Sequence, residues 1–238
     1  MELYWLNLIH NIVSKSLFQK KTTMTRRILL RLAAFFVVLS GFAQNTDGGA
    51  TELLKKVSSK YQGFTSMQFH YTLKATKDSK TLSTSQGDFA LKGNKYRTTF
   101  SDQTYFCDGA SIWNYQKSTN EVSIYEYDAE DDENMMNPQK ILKNWEKQFR
   151  AKYIRDEFNN NISTALIDLT PKTTQSYYRI RLYINKANNQ ILRIALYDKD
   201  NTIYTYHIEQ FKSNVTLADS YFVFDKSKYP GVEVNDMR

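Results

Sequence analysis

The chain has one cysteine, Cys107, so no intrachain disulfide can brace it, and packing and hydrogen bonding must hold the fold together. Three prolines and eight glycines in 238 residues are too few to make a flexible or stiff linker, and no internal repeat interrupts the chain, so one domain is expected. Histidine is equally scarce. Beyond residue 43 only His70 and His207 occur, which excludes a histidine pair at metal-ligand spacing. There is also no glycine-rich phosphate loop and no serine-centred nucleophile elbow. Carboxylates are plentiful, but most stand in turn-like stretches, and the acidic run 128–133 lacks both the ligand spacing and the central glycine of a calcium loop. Finally, no apolar run reaches the ~20 residues that span a bilayer: the run from Leu32 to Leu39 is far shorter.

That run has a different reading. Arg26, Arg27 and Arg31 precede it, and the small residues Gly41 and Ala43 follow, which is the pattern of a secretory signal over residues 24–43 with cleavage before Gln44. Met24 directly precedes the charged region, so residues 1–23 read as an upstream extension outside the native chain, and residues 44–238 as a single mature domain. Residue 44 is glutamine rather than cysteine, so no lipid anchor is expected there. Residues 1–43 hold six of the 32 Lys and Arg and one of the 25 Asp and Glu, leaving a net charge of about +2 on the remainder. The basic character belongs to the targeting segment, and a nucleic-acid partner is not expected.

The mature region reads mainly as β-structure. Between Ala50 and Tyr61, Leu53, Leu54, Val57 and Tyr61 fall on one side of an amphipathic helix that Gly63 ends. Met67, Phe69, Tyr71, Leu73 and Ala75 then alternate with polar residues, as in a strand packed on one face. The stretch from Gly87 to Tyr115 continues in hairpins: Phe89 and Leu91, a turn at Gly93-Asn94, then Tyr96, Thr98 and Phe100, and a turn at Asp108-Gly109. After a strand around 122–127, Asn137-Pro138 announces a second helix carrying Ile141, Leu142, Trp145 and Phe149 on one face, placed like a flap over the sheet. Strands are expected again at 162–169, 177–184, 191–197 and 203–211, with turns at Asn188-Asn189 and 198–201. The total is about ten strands with two inserted helices, which points to a half-closed barrel.

The order G-D-F-x-L-K (87–92), N-x-Y-R (94–97), C-D-G-x-x-I-W-x-Y (107–115) and, near the end, F-x-F (222–224) followed by P-G-V-E-V-x-D (230–236) resembles the periplasmic lipoprotein carrier family, LolA. The resemblance implies an incomplete antiparallel β-barrel with an α-helical lid, whose apolar interior holds the acyl chains of lipoproteins on their way from the inner to the outer membrane. It also implies a periplasmic monomer without cofactor or catalytic residue, an inner-membrane lipoprotein-releasing transporter as donor, and an outer-membrane acceptor. The cavity lining that follows is Leu53, Leu54, Val57, Phe89, Leu91, Tyr96, Trp113, Ile141, Leu142 and Trp145. In the family an arginine after the G-D-x-x-x-K motif holds the lid closed. Gly93 stands at that position here, which leaves Arg97 and Lys92 as lid-lock candidates. The alternatives are another lipid-binding or envelope-stress-sensing module on the same half-barrel, and an unrecognised hydrolase.

Overall fold

The computed structural model describes residues 47–128 and 137–238, all within one compact unit, Asn45–Arg238. The signal segment, the upstream extension and most of the acidic run lie outside the described residues.

Helix α1, Gly48–Gln62, starts where the Asp47 carboxylate accepts from the N–H groups of Gly49 (2.8 Å) and Ala50 (3.4 Å), satisfying donors that have no partner within the helix. Twelve strands follow: β1 (Ser66–Lys77), β2 (Lys80–Lys92), β3 (Lys95–Phe100), β4 (Gln103–Cys107), β5 (Ser111–Gln116), β6 (Glu121–Glu126), β7 (Phe149–Asn159), β8 (Ile162–Pro171), β9 (Tyr177–Asn185), β10 (Gln190–Asp198), β11 (Ile203–Ser213) and β12 (Glu233–Asp236). They form one sheet in the order β12-β6-β5-β4-β3-β2-β1-β11-β10-β9-β8-β7. Two meanders, β1–β6 and β7–β11, are thus joined along the β1–β11 pair, while β12 pairs parallel with β6 and every other pair is antiparallel. The sheet stays open, with β12 and β7 as its edges.

The first meander follows the pattern expected from its sequence. Met67, Phe69, Tyr71, Leu73 and Ala75 are buried while Gln68, His70, Thr72 and Lys74 between them are not, because successive strand residues point to opposite faces. Gly93 takes φ +59° in the turn that pairs Lys92 with Lys95. Gly87 is required by contact rather than by conformation. A Cβ built there would lie 2.1 Å from the Thr99 carbonyl oxygen and 2.5 Å from the Tyr71 hydroxyl, so the Tyr71 side chain can cross its strand partner and donate to Thr99 O (2.6 Å) only over a residue without a side chain.

The crossover between the meanders departs from the expected single helix. It begins as anticipated at Asn137, whose side chain accepts from the Gln139 N–H, with Pro138 in the first turn. Helix α2 then ends at Leu142 (Pro138–Leu142), Lys143 is extended, Asn144 takes φ +55°, and a second short helix, α3, covers Trp145–Gln148. Phe149 does not continue a helical face; it opens β7, which pairs with β8. Among the described residues there are therefore twelve strands rather than about ten, and three α-helices rather than two. β7 hides from period-two reading because a register shift between Tyr153 and Arg155 breaks its alternation.

Candidate functional site

One face of the sheet carries a continuous apolar cluster roofed by the three helices. Ala50, Leu54, Val57 and Tyr61 of α1, Ile141 and Leu142 of α2, and Trp145 of α3 pack on Phe69, Phe89, Leu91 and Tyr96 of the first meander and on Ile167, Leu169, Ile180, Leu182, Ile194 and Ile208 of the second. Burial of each large side chain contributes roughly 1.5–3 kcal/mol. A line of rings runs from sheet to helix. Phe89 stacks on Phe69 (5.0 Å between centroids), Phe69 on Phe211 (6.3 Å), and Phe211 meets Tyr61 (5.7 Å).

Polar contacts divide the roof from the sheet. Helices α1 and α2 are bonded to each other: Ser58 Oγ donates to Leu142 O (3.0 Å), Gln62 Nε2 to Gln139 O (2.9 Å), and Gln139 Nε2 to Tyr61 O (2.7 Å) and, just past α1, to Phe64 O (3.2 Å). Toward the second meander, the Ile191 N–H donates to the buried Tyr61 hydroxyl (3.0 Å), at a register shift where the β9–β10 ladder is interrupted. Lys60 Nζ donates to Asn188 O (2.6 Å) in the adjoining turn. Burial pushes the Tyr61 hydroxyl up to about 12, partly opposed by the Ile191 N–H that would stabilise its anion. The Tyr71 hydroxyl is likewise pushed up to about 12, chiefly by burial.

Of the lining expected from sequence, Leu54, Val57, Phe89, Leu91, Tyr96, Ile141, Leu142 and Trp145 meet in this one cluster, and Leu53 packs against it half-buried. Trp113 is elsewhere. On β5 it is Ile112 that reaches the helix-covered cluster, so strand alternation sends Trp113 to the opposite, outer face, against a second cluster of Phe106, Val122, Phe224 and Val232. The lid-lock candidates also meet the C-terminal segment instead of the helices. Arg97 alternates with inward-facing Tyr96 and stacks over the rings of Phe106 (4.8 Å) and Tyr221 (4.7 Å), and Lys92 Nζ donates to Leu217 O (2.8 Å) and Asp219 Oδ1 (2.9 Å). Tyr61 and Lys60, two of the groups that bridge helix and sheet, were legible only as helix residues; backbone bonds at Asp47 to Ala151 O (3.1 Å) and at Gln148 O from the Lys172 N–H (2.8 Å), and Lys172 Nζ to Glu146 O (2.6 Å), complete the bridge. Gln139, central to the helix–helix contacts, carried no sequence signal beyond its place after Asn137-Pro138.

Among the described residues no three His, Cys, Asp or Glu gather as a metal site would require, and no helix is long and apolar enough to cross a membrane. The result is an open sheet with one apolar face closed over by helices. Residues 62–225 match the family model for the outer membrane lipoprotein carrier protein LolA, and the chain belongs to that family. An uncharacterized protein of Methanocaldococcus jannaschii is 27% identical over 199 residues, 82% of this chain and 57% of that protein, so the chain spans little more than half the length of this curated relative. Among solved structures, an uncharacterized conserved protein from Thermus thermophilus superposes with a TM-score of 0.53 at 15% identity, over 79% of this chain and 99% of the other. A LolA superfamily protein from Nitrosomonas europaea gives 0.40 at 13% identity, over 74% and 98%. These likenesses concern the fold.

Proposed function

We propose that the chain is a non-enzymatic periplasmic carrier that takes the acyl chains of lipoproteins between its sheet and its helices and moves them from the inner to the outer membrane. In this reading an inner-membrane releasing transporter supplies the cargo and an outer-membrane acceptor removes it. The inner-face set of Leu53, Leu54, Val57, Phe89, Leu91, Tyr96, Ile141, Leu142 and Trp145 touches the acyl chains.

The observation that carries the reading is the roof itself, whose inner face meets the sheet through apolar side chains while its polar ties sit at the edges: the Asp47 N–H to Ala151 O (3.1 Å), the Lys172 N–H to Gln148 O (2.8 Å), Lys172 Nζ to Glu146 O (2.6 Å), Lys60 Nζ to Asn188 O and the Ile191 N–H to Tyr61. Lifting the roof exchanges these bonds for bonds to water at small net cost each. Lifting it withdraws Leu54, Val57, Ile141, Leu142 and Trp145 from the sheet, at a cost of about 10 kcal/mol for five large side chains. An acyl chain that buries about twelve methylenes contributes about 10 kcal/mol at ~0.8 kcal/mol each. The near balance suits a carrier, because cargo is accepted without being bound so tightly that it cannot leave.

The test is to purify the exported protein from an envelope extract and identify what accompanies it by mass spectrometry, with Trp145→Glu in parallel. Diacylated or triacylated polypeptides should accompany the wild type and be lost from Trp145→Glu while its circular dichroism stays native. Recovery of the same acylated material with both proteins would overturn the reading.

A further inference from the structure

The outer face holds a second site that acyl binding does not use. Residues 214–238 run across β3–β6 as a strap: Asp219 is gripped by Lys92 (2.9 Å) and Lys95 (2.8 Å), Asn120 Nδ2 donates to Pro230 O (3.2 Å), and β12 joins β6. Between the strap and β3–β4 lies a solvent-open cavity of about 340 Å³, bordered by Arg97 and Phe106 from the sheet and by Thr216, Ser220, Tyr221 and Lys228 from the strap.

Arg97 is the group without a task. Its guanidinium stacks over Phe106, its cross-strand partner, and over Tyr221, which fixes its plane. No carboxylate or carbonyl among the described residues accepts from its N–H groups. The acids nearby are engaged: Asp219 by the two lysines, and Asp225 by the Ser227 N–H (3.1 Å), the Ser227 hydroxyl (2.6 Å) and Lys228 Nζ (3.3 Å). Lys228 is thereby neutralised, so the cavity keeps one unmatched positive charge on a fork that fits a planar anion in two parallel hydrogen bonds. Leu217, Ala218 and Val223 complete the wall with apolar surface.

We propose that this cavity binds a small carboxylate with an apolar body, the carboxylate on Arg97, the Thr216 and Ser220 hydroxyls beside it, and the body against Leu217, Ala218 and Val223. One unmatched cation and a partly apolar wall favour a monoanion over inorganic phosphate. The carboxylate can be that of a free acid or of a polypeptide C-terminus.

The test titrates the full-length protein with hexanoate, hexanol, inorganic phosphate and an acetylated tripeptide ending in leucine, following the Arg97 side-chain and Trp113 indole resonances. Hexanoate or the tripeptide should give saturable shifts, and the tighter of the two identifies the source of the carboxylate. Arg97→Gln should weaken binding at least about tenfold, the loss expected for a charge-assisted hydrogen bond, and Arg97→Lys less. Ser220→Leu, which fills the cavity and leaves Arg97 stacked, should abolish binding, whereas Trp145→Glu on the opposite face should leave it unchanged. Equal binding of hexanol, tighter binding of phosphate, indifference to both Arg97→Gln and Ser220→Leu, or loss on Trp145→Glu alone would each overturn the proposal.

Discussion

Replacing Tyr61 by phenylalanine separates the roof from the core it covers. The substitution keeps the ring contacts with Phe64 and Phe211 and removes only the oxygen that accepts from the Ile191 N–H. That N–H sits where the β9–β10 register shifts, and without the hydroxyl it is left buried and unsatisfied, at a cost of about 1–3 kcal/mol. When α1 lifts, the N–H is freed to meet water, so the cost falls on the closed state. The open fraction should therefore rise about 5- to 150-fold at 1.4 kcal/mol per factor of ten. Hydrogen exchange reads this directly. Amides of α1 between Leu54 and Gln62 should exchange faster by that factor, while those of β1 and β2 accelerate much less, and an apolar dye should enter the protein faster. Uniform acceleration over α1, β1 and β2 alike would refute the idea of a roof that opens independently, and unchanged exchange would refute the bond's contribution.

Other consequences are more local. Gly87→Ala should destabilise the protein by about 2–4 kcal/mol in urea unfolding, since the added methyl meets the Thr99 carbonyl and the Tyr71 hydroxyl; because the nearest atom is backbone, Tyr71→Phe should not rescue it. Asp168 is buried on the outer face beneath Arg181, which reaches it with Nε (2.5 Å) and Nη2 (2.8 Å). Asp168→Asn should lower stability by about 3 kcal/mol in the same assay, because it leaves a largely desolvated guanidinium without its counter-charge. Tyr61 and Tyr71 are raised to about 12 in the folded protein against 10 for the ordinary phenol. Stability from these two groups is thus complete below pH 10 and is lost as the pH rises through 12, the unfolded chain ionising first. Absorbance of phenolate should show a late-titrating group that contains Tyr61, Tyr71 and the still more strongly raised Tyr206, and Tyr71→Phe should remove one tyrosine from it.

Where local pattern and long-range pairing agreed, the sequence was readable. The face of α1, the alternation of β1, the Gly93 turn and the Asn137-Pro138 helix start all depend on contacts within a few residues or on one periodicity. The crossover was not readable for the opposite reason. Ile141, Leu142, Trp145 and Phe149 satisfy helical spacing, yet Phe149 is taken by pairing with Pro171 on β8, and Asn144 tolerates the left-handed turn that this demands. The hairpin at Asn160-Asn161, both at positive φ, was the available clue that a strand preceded Ile162. The face of Trp113 turned on a register that alternation alone leaves free by one residue, and it was settled by the strap of residues 214–238 covering the outer cluster.

The claim that acyl chains enter beneath the helices can be tested with the two tryptophans the sheet divides, Trp145 in the inner cluster and Trp113 against the outer one. In a Trp5→Phe background, emission is recorded while a synthetic diacylated lipopeptide with brominated acyl chains is added, first with both tryptophans and then with Trp145→Phe or Trp113→Phe. The account predicts strong, saturable quenching that survives Trp113→Phe and disappears with Trp145→Phe. Quenching that persists in Trp145→Phe and vanishes in Trp113→Phe would contradict it by placing the acyl chains on the outer face.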